Sequence, residues 1–169
     1  MNNNTKLYGY GGTALDGITV TSSMRFGICT KGRKENDNPL TIETTLVKDA
    51  ESLSITVDNG IEEWNPMDQD GWVRRLATSK SLSVSLGGKR NYGDPGNDYV
   101  ANCAYGNGQE CNSWFSVIFP NNDQLIIPCV INVSSMGGDS TAVNALEWEI
   151  QSDGRPTYVE YTGSSSSGA

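Results

Sequence analysis

Histidine is absent from the 169-residue chain. That removes the Ser-His-Asp and Cys-His nucleophile systems and the commonest general base at neutral pH. Carboxylate chemistry stays open, because acids are plentiful. Long apolar runs are missing too: no stretch of about 18 apolar residues exists to span a bilayer. The opening segment, MNNNTKLYGYGG, has neither a hydrophobic region nor a cleavage signal, so secretory export is not expected. A protein kept in a reducing cytoplasm leaves Cys29, Cys103, Cys111 and Cys129 as free thiols rather than a disulfide framework. No CxxC pair and no metal-ligand spacing occurs among them.

Basic residues are nearly missing from one half. Residues 1 to 90 hold eleven basic and eleven acidic side chains, which cancel. Residues 91 to 169 hold nine acids against Arg155 alone and carry the whole formal charge of −8. Such a surface repels nucleic acid rather than gripping it. Apolar residues make up 36% of the chain, and Gly, Ser, Thr and Asn fill the gap. With many β-branched residues, that mix favours short strands and turns. The length fits one domain, expected over residues 1 to 162.

The ends read as loose: an Asn run at 2 to 4 within an N-terminal arm (1 to 12), and a low-complexity tail, GSSSSGA, at 163 to 169. KGRKENDNP, residues 31 to 39, reads as a mobile loop. No internal repeat is found. LSITVD (53 to 58) reads as a strand followed by Asn59-Gly60, a turn or bulge signal. SWFSVIF (113 to 119) and LIIPCVINV (125 to 133) flank PNND as a β-hairpin, with Pro128 marking an edge or a bulge. In VNALEWEIQ (143 to 151), Leu146, Trp148 and Ile150 face one way, and Glu147, Glu149 and Gln151 the other. SDGR then turns the chain into a last strand, PTYVEY. One short helix is expected, capped by Asn97 or Asp98, with Val100, Cys103 and Ala104 at helical spacing and Gly106 after its end. The fold class is all-β with one short helix: two packed antiparallel sheets, or an open β-barrel.

WVRRLATSKSLSVSLG, residues 72 to 87, is the informative segment. Leu82, Val84 and Leu86 alternate with serines, and counting back in step reaches Lys80, Thr78 and Leu76. The strand is therefore half-buried at its C-terminal end and solvated or partner-facing above. Sixteen extended residues span roughly 50 Å. A domain of this size has a radius of gyration of about 15 Å, hence a diameter of roughly 40 Å. A long hairpin over 53 to 87 should project from the body, with WNPMDQDGW at its tip. An apolar tip is costly unless covered. Either the loop folds back with its indoles over its own core, or it docks on another copy. Trp, Met and Arg favour interface cores, and a long edge strand invites pairing. The contact candidates are Trp64, Pro66, Met67, Trp72, Arg74 and Arg75.

WNPMDQDGWVRRLATSKSLSVSLGGKRNYGDPGNDYV, followed downstream by ALEWEIQSDGRPTY, resembles the major tail (tail tube) proteins of long-tailed bacteriophages. The resemblance runs from about residue 53 to 161. GKRNYGDPGNDYV and EWEIQSDGRP are its most specific parts. It implies two packed β-sheets flanked by a helix, six subunits per ring, and rings stacked into a hollow tube for genome ejection. It further implies a long hairpin and terminal arms bridging stacked rings. Related tubes occur in phage-tail-like bacteriocins and type VI secretion. The partners implied are the chain itself and the tape measure, tail terminator and distal tail proteins, with DNA passing unbound and no membrane. The implied location is the virion tail, assembled in the bacterial cytoplasm.

Individual residues admit plainer readings. Glu147 and Glu149 line either a solvated outer face or the lumen. Lys89 and Arg90 form either an intersubunit rim or a surface pair. Asp58, Asp94 and Asp98 lack the regular oxygen spacing of a calcium loop and read better as turn and cap residues. YGYGGTAL lacks the Lys-Ser/Thr of a phosphate loop. Cys103, Cys129, Trp114 and Trp148 read as core. No catalytic residue, cofactor or metal is expected. Two competing classes remain: a monomeric β-sandwich module stacking carbohydrate on Trp64 and Trp72, and a carboxylate hydrolase on the same sandwich.

Overall fold

The computed structural model describes residues 18 to 162. The expected N-terminal arm and the tail at 163 to 169 lie outside these residues. Eight strands follow in order: β1 (Arg25–Ile28), β2 (Thr45–Leu46), β3 (Ala50–Trp64), β4 (Arg74–Lys89), β5 (Asn112–Ile118), β6 (Gln124–Gly137), β7 (Ala145–Ser152) and β8 (Thr157–Val159). One helix, α1 (Pro95–Asn102), lies between β4 and β5. Every strand pairing is antiparallel, in the order β2-β1-β5-β6-β7-β4-β3, with β8 added on β6. The layers expected from the sequence are thus joined through one continuous, open sheet.

Alternation explains the core. Val84 and Leu86 of β4 meet Ile150 and Trp148 of β7 in register, and Phe115 of β5 packs edge-on against Trp148 with ring centroids 5.9 Å apart. These side chains, with Ile28, Ile127, Ile131 and Val100, form one buried cluster. On the other face of β5, Trp114 packs with Cys29 and Ile126. Its indole N–H donates to Asp37 at 3.0 Å, so the polar 31 to 39 loop covers this face. Arg33 also bridges to Asp153 by an ion pair. β5 is therefore buried on both faces, which alternation alone does not announce.

Pro128 sits on neither an edge strand nor a bulge. It opposes Trp114 on the inner strand β6, in the gap where β6 passes from pairing β8 (through Ile126) to pairing β7 (from Cys129). Its carbonyl accepts the Asp153 N–H at 2.8 Å. A residue without an N–H is tolerated where the ladder changes partner.

The helix begins earlier than expected. Asp94, not Asn97 or Asp98, is its cap: the Asp94 carboxylate accepts the Asn97 N–H at 2.9 Å, and Pro95 takes the first helical position. Asn97 is instead a buried anchor. Its side-chain oxygen accepts from Asn91 N and Arg90, and its amide donates to the Lys48 and Lys89 carbonyls. Gly96 permits the contact, since a Cβ there would lie 2.3 Å from the Leu46 carbonyl oxygen. A tight 3-10 turn over Cys103–Tyr105 continues the helix to Gly106.

Candidate assembly interface

β4 is one strand with two environments. From Ser83 to Lys89 it lies between β3 and β7, and Val84 and Leu86 are buried. From 74 to 82 it pairs with β3 alone, and residues 74 to 81 are all exposed. Nine residues beyond the last β7 pair make an arm about 30 Å long. The strand is continuous, as the length argument required, and the body does not cover it.

At the tip, Trp64 opposes Arg74 across the ladder. Pro66 precedes a single 3-10 turn over Met67–Gln69. Asp70 (φ 47°) and Gly71 (φ 84°) then adopt left-handed backbone and return the chain to β4, with Trp72 N–H bonded to Gln69 O at 2.8 Å. Met67 is fully exposed, Trp72 is 78% exposed and Trp64 44%. The indoles are therefore not lids on the subunit's own core. Arg75 pairs with Glu63 across the strands at 2.7 Å, and both stay exposed. An ion pair so placed contributes little stability to the subunit.

Counting in step fails midway along the arm. A register shift between Gly60 and Ile61 makes Gly60 oppose Ser79 while Ile61 opposes Ala77, leaving Thr78 as the extra residue of a β-bulge. The Asn59-Gly60 signal marks this bulge rather than a turn. Leu76 therefore shares a face with Glu62 and Trp64, not with Leu82. The core-side face continues outward instead as Val57, Leu82, Ile61 and Ala77. Val57, Ile61 and Leu76 are each more than half exposed. Both faces of the arm thus offer apolar surface, and the outer edge of β3 is unpaired among the described residues.

The opposite face of the body is different in kind. Glu147 and Glu149 stand in register with Gly87 and Ser85, which oppose Ser52 and Ser54. Serines, a threonine, Gln151 and the two glutamates make this strip, and no basic side chain falls on it between Ser81 and Gly87. Lys89 closes its end, paired with Glu51 at 3.6 Å. Arg90 is engaged within its own domain: it donates to Asp98 at 2.6 Å, stacks on the Tyr92 ring at 4.2 Å, and its side chain is only 11% exposed. Lys89 and Arg90, expected as an intersubunit rim or a surface pair, part company: Lys89 is half-exposed and Arg90 holds the helix.

Other polar groups tie the fold together. The Lys34 N–H and the Trp114 indole hold the Asp37 carboxyl below its ordinary range. The Tyr158 hydroxyl and the Tyr161 N–H do the same for Asp123, tying the last strand to the β5–β6 turn. Burial pushes the Cys103 thiol up to about 11 and the Cys129 thiol to about 12. Both stay protonated at neutral pH and make poor nucleophiles. No helix among the described residues is long and apolar enough to cross a membrane.

No family model and no curated protein matches the chain. Solved structures do. A chain in the tail of an empty gene transfer agent particle, determined with C6 symmetry, superposes with a TM-score of 0.66 at 15% identity, covering 83% of this chain and 98% of that one. A chain in the virion of a native gene transfer agent particle gives 0.60 at 16% identity, over the same shares. At such identity the likeness is one of fold, and it covers nearly the whole of each neighbour. The open antiparallel sheet with one helix and a projecting hairpin is a fold of the tail-tube type.

Proposed function

We propose that the chain is a structural subunit that associates with copies of itself into sixfold rings, stacked as a tail tube through which a genome is ejected. The observation that carries this reading is the bare arm. A solitary subunit leaves Met67, Trp72, Ile61 and Leu76 in water, while stacked copies cover them. The C6 symmetry of the tail containing a chain of the same fold supports a ring of six. The fifteen-residue outer edge of β3, unpaired among the described residues, supports sideways joining, because closing a sheet between subunits removes an aggregation-prone edge.

Trp64, Pro66, Met67, Trp72, Arg74 and Arg75 are then the contacts between rings, with Lys89 near a subunit boundary. The strip of small hydroxyls with Glu147 and Glu149 suits a lumen wall: fixed negative charge without cations repels phosphates and lets DNA slide. On this reading the protein works by geometry and charge without catalysis. It belongs in the virion tail, assembled in the host cytoplasm, beside the tape measure, terminator and distal tail proteins.

Negative-stain microscopy of the concentrated purified protein is the direct test. Rings or tubes with sixfold end views are expected. A protein that stays a monodisperse monomer at high concentration and high salt overturns the reading.

A further inference from the structure

Where β4 leaves β7, the Leu82 N–H is capped by the Ser152 hydroxyl at 3.0 Å, and the ladder stops. A groove of about 630 Å³ opens there, between the root of the arm and the β7–β8 turn. Its floor is apolar, from Val57, Leu82 and Pro156, and two cations, Lys80 and Arg155, line it. Both cations are exposed, and neither makes an ion pair among the described residues. Arg155 is the only basic residue among the last 79 of the chain, in a half that carries nine acids.

The tip of the arm is the chemical complement of this groove. Residues 65 to 71 carry two acids, Asp68 and Asp70, and no base, around the exposed Met67, and Trp72 follows directly. Neither aspartate makes an ion pair among the described residues. Tip and groove lie on the same hairpin, separated by seven to eight strand residues, or roughly 25 Å. A straight arm cannot reach its own root.

We infer that this groove receives the arm tip of a second copy, with Met67 or Trp72 on the apolar floor and Asp68 and Asp70 against Lys80 and Arg155. The inference rests on the stacked-tube reading and deepens it by naming the acceptor. A contact between two different patches of the same chain is heterologous and does not close on itself when the step is a translation along the arm. It builds an open stack whose step is set by the reach of the arm, on the order of 30 Å. The groove's charge sets which end of a subunit meets which, since like ends present like charges.

The test is a charge swap read by tube length under negative stain. Lys80→Glu with Arg155→Glu should shorten the tubes at least about tenfold, with the subunit's melting temperature unchanged. Adding Asp68→Lys and Asp70→Lys to the same chain should restore them, because every copy supplies both a tip and a groove. As a second measurement, Met67→Cys with Pro156→Cys should give a ladder of crosslinked multimers on oxidation of wild-type-length tubes. The four native cysteines, being buried, should give none. Full-length tubes from the Lys80→Glu/Arg155→Glu chain, or wild-type-length Met67→Cys/Pro156→Cys tubes that give no ladder on oxidation, overturn the groove while leaving the tube reading intact. Tubes lost and not restored by the compensating aspartate changes overturn it too. A wild-type chain that forms no tubes removes both.

Discussion

The two halves of β4 belong to one continuous strand and meet opposite fates. Around Val84 and Leu86, alternation meets β7 on one side and the helix-covered core above, and the side chains are sealed. Around Leu76 and Lys80, the strand meets only β3 and alternation is broken by the bulge, and every residue from 74 to 81 is exposed. The tryptophans divide in the same way: Trp114 and Trp148 are buried in the body, Trp64 and Trp72 stand in water at the arm's end. The lesson is that an apolar stripe declares a need for cover without saying which molecule supplies it. In the body the same chain does; on the arm no part of the described chain does.

The contrast should be largest in stability. Phe115→Ala, which empties a fully buried site between Phe26 and Trp148, should cost about 3–5 kcal/mol and lower the subunit's Tm by roughly 10 °C. Trp72→Ala should change subunit stability by no more than about 0.5 kcal/mol while weakening association. Calorimetry of both variants decides this, and a large loss of Tm from Trp72→Ala would mean the body does lean on the tip.

Removing residues 65 to 71 should leave a subunit with wild-type circular dichroism that no longer stacks. Tubes of normal length from that deletion would show that the arm's end is dispensable for assembly. Changing Glu147 and Glu149 to Lys should leave tube length nearly unchanged and reduce genome delivery, which a transduction or infectivity titre measures. An unaltered titre would take these glutamates off the lumen wall.

The smallest effect concerns the loop over Trp114. Asp37 has a folded pKa held below its ordinary value, so its contribution is fully present above that ordinary value and is lost as pH falls through the lower, folded one. Acidification below about pH 4 should therefore release the loop and shift Trp114 emission, with the rest of the fold retained. Asp37→Ala should show the released emission at neutral pH already. An emission that stays constant into strong acid would place the loop's anchorage elsewhere, with Arg33 and Asp153 the next pair to remove.

Much of the scaffold could be read from the chain. Period-two alternation in VNALEWEIQ placed Leu146, Trp148 and Ile150 inside and the glutamates outside. The PNND turn joined β5 to β6 as expected. Other features were half legible. The spacing of Val100, Cys103 and Ala104 gave the helix, but Asn97 or Asp98 was expected as its cap. Asp94 was chosen by its position beside Pro95 and by the demand on Asn97 from four partners elsewhere. Arg90 looked like a surface cation because its partner Asp98 arrives only after the chain has turned.

By itself the sequence determined the kind of elements and where the strong turns lie, and it raised the expectation that one hairpin outruns its domain. Those properties depend on neighbours within a few residues and on a rise per residue that never varies much. Only the tertiary structure decided that Thr78 is bulged and Leu76 turned to the other face. Only it showed Pro128 to stand on an inner strand, and brought Arg155 beside Lys80 across 75 residues of chain. Each of those outcomes depends on the register of strands far apart in sequence, and one residue of slip in any of them reverses a face.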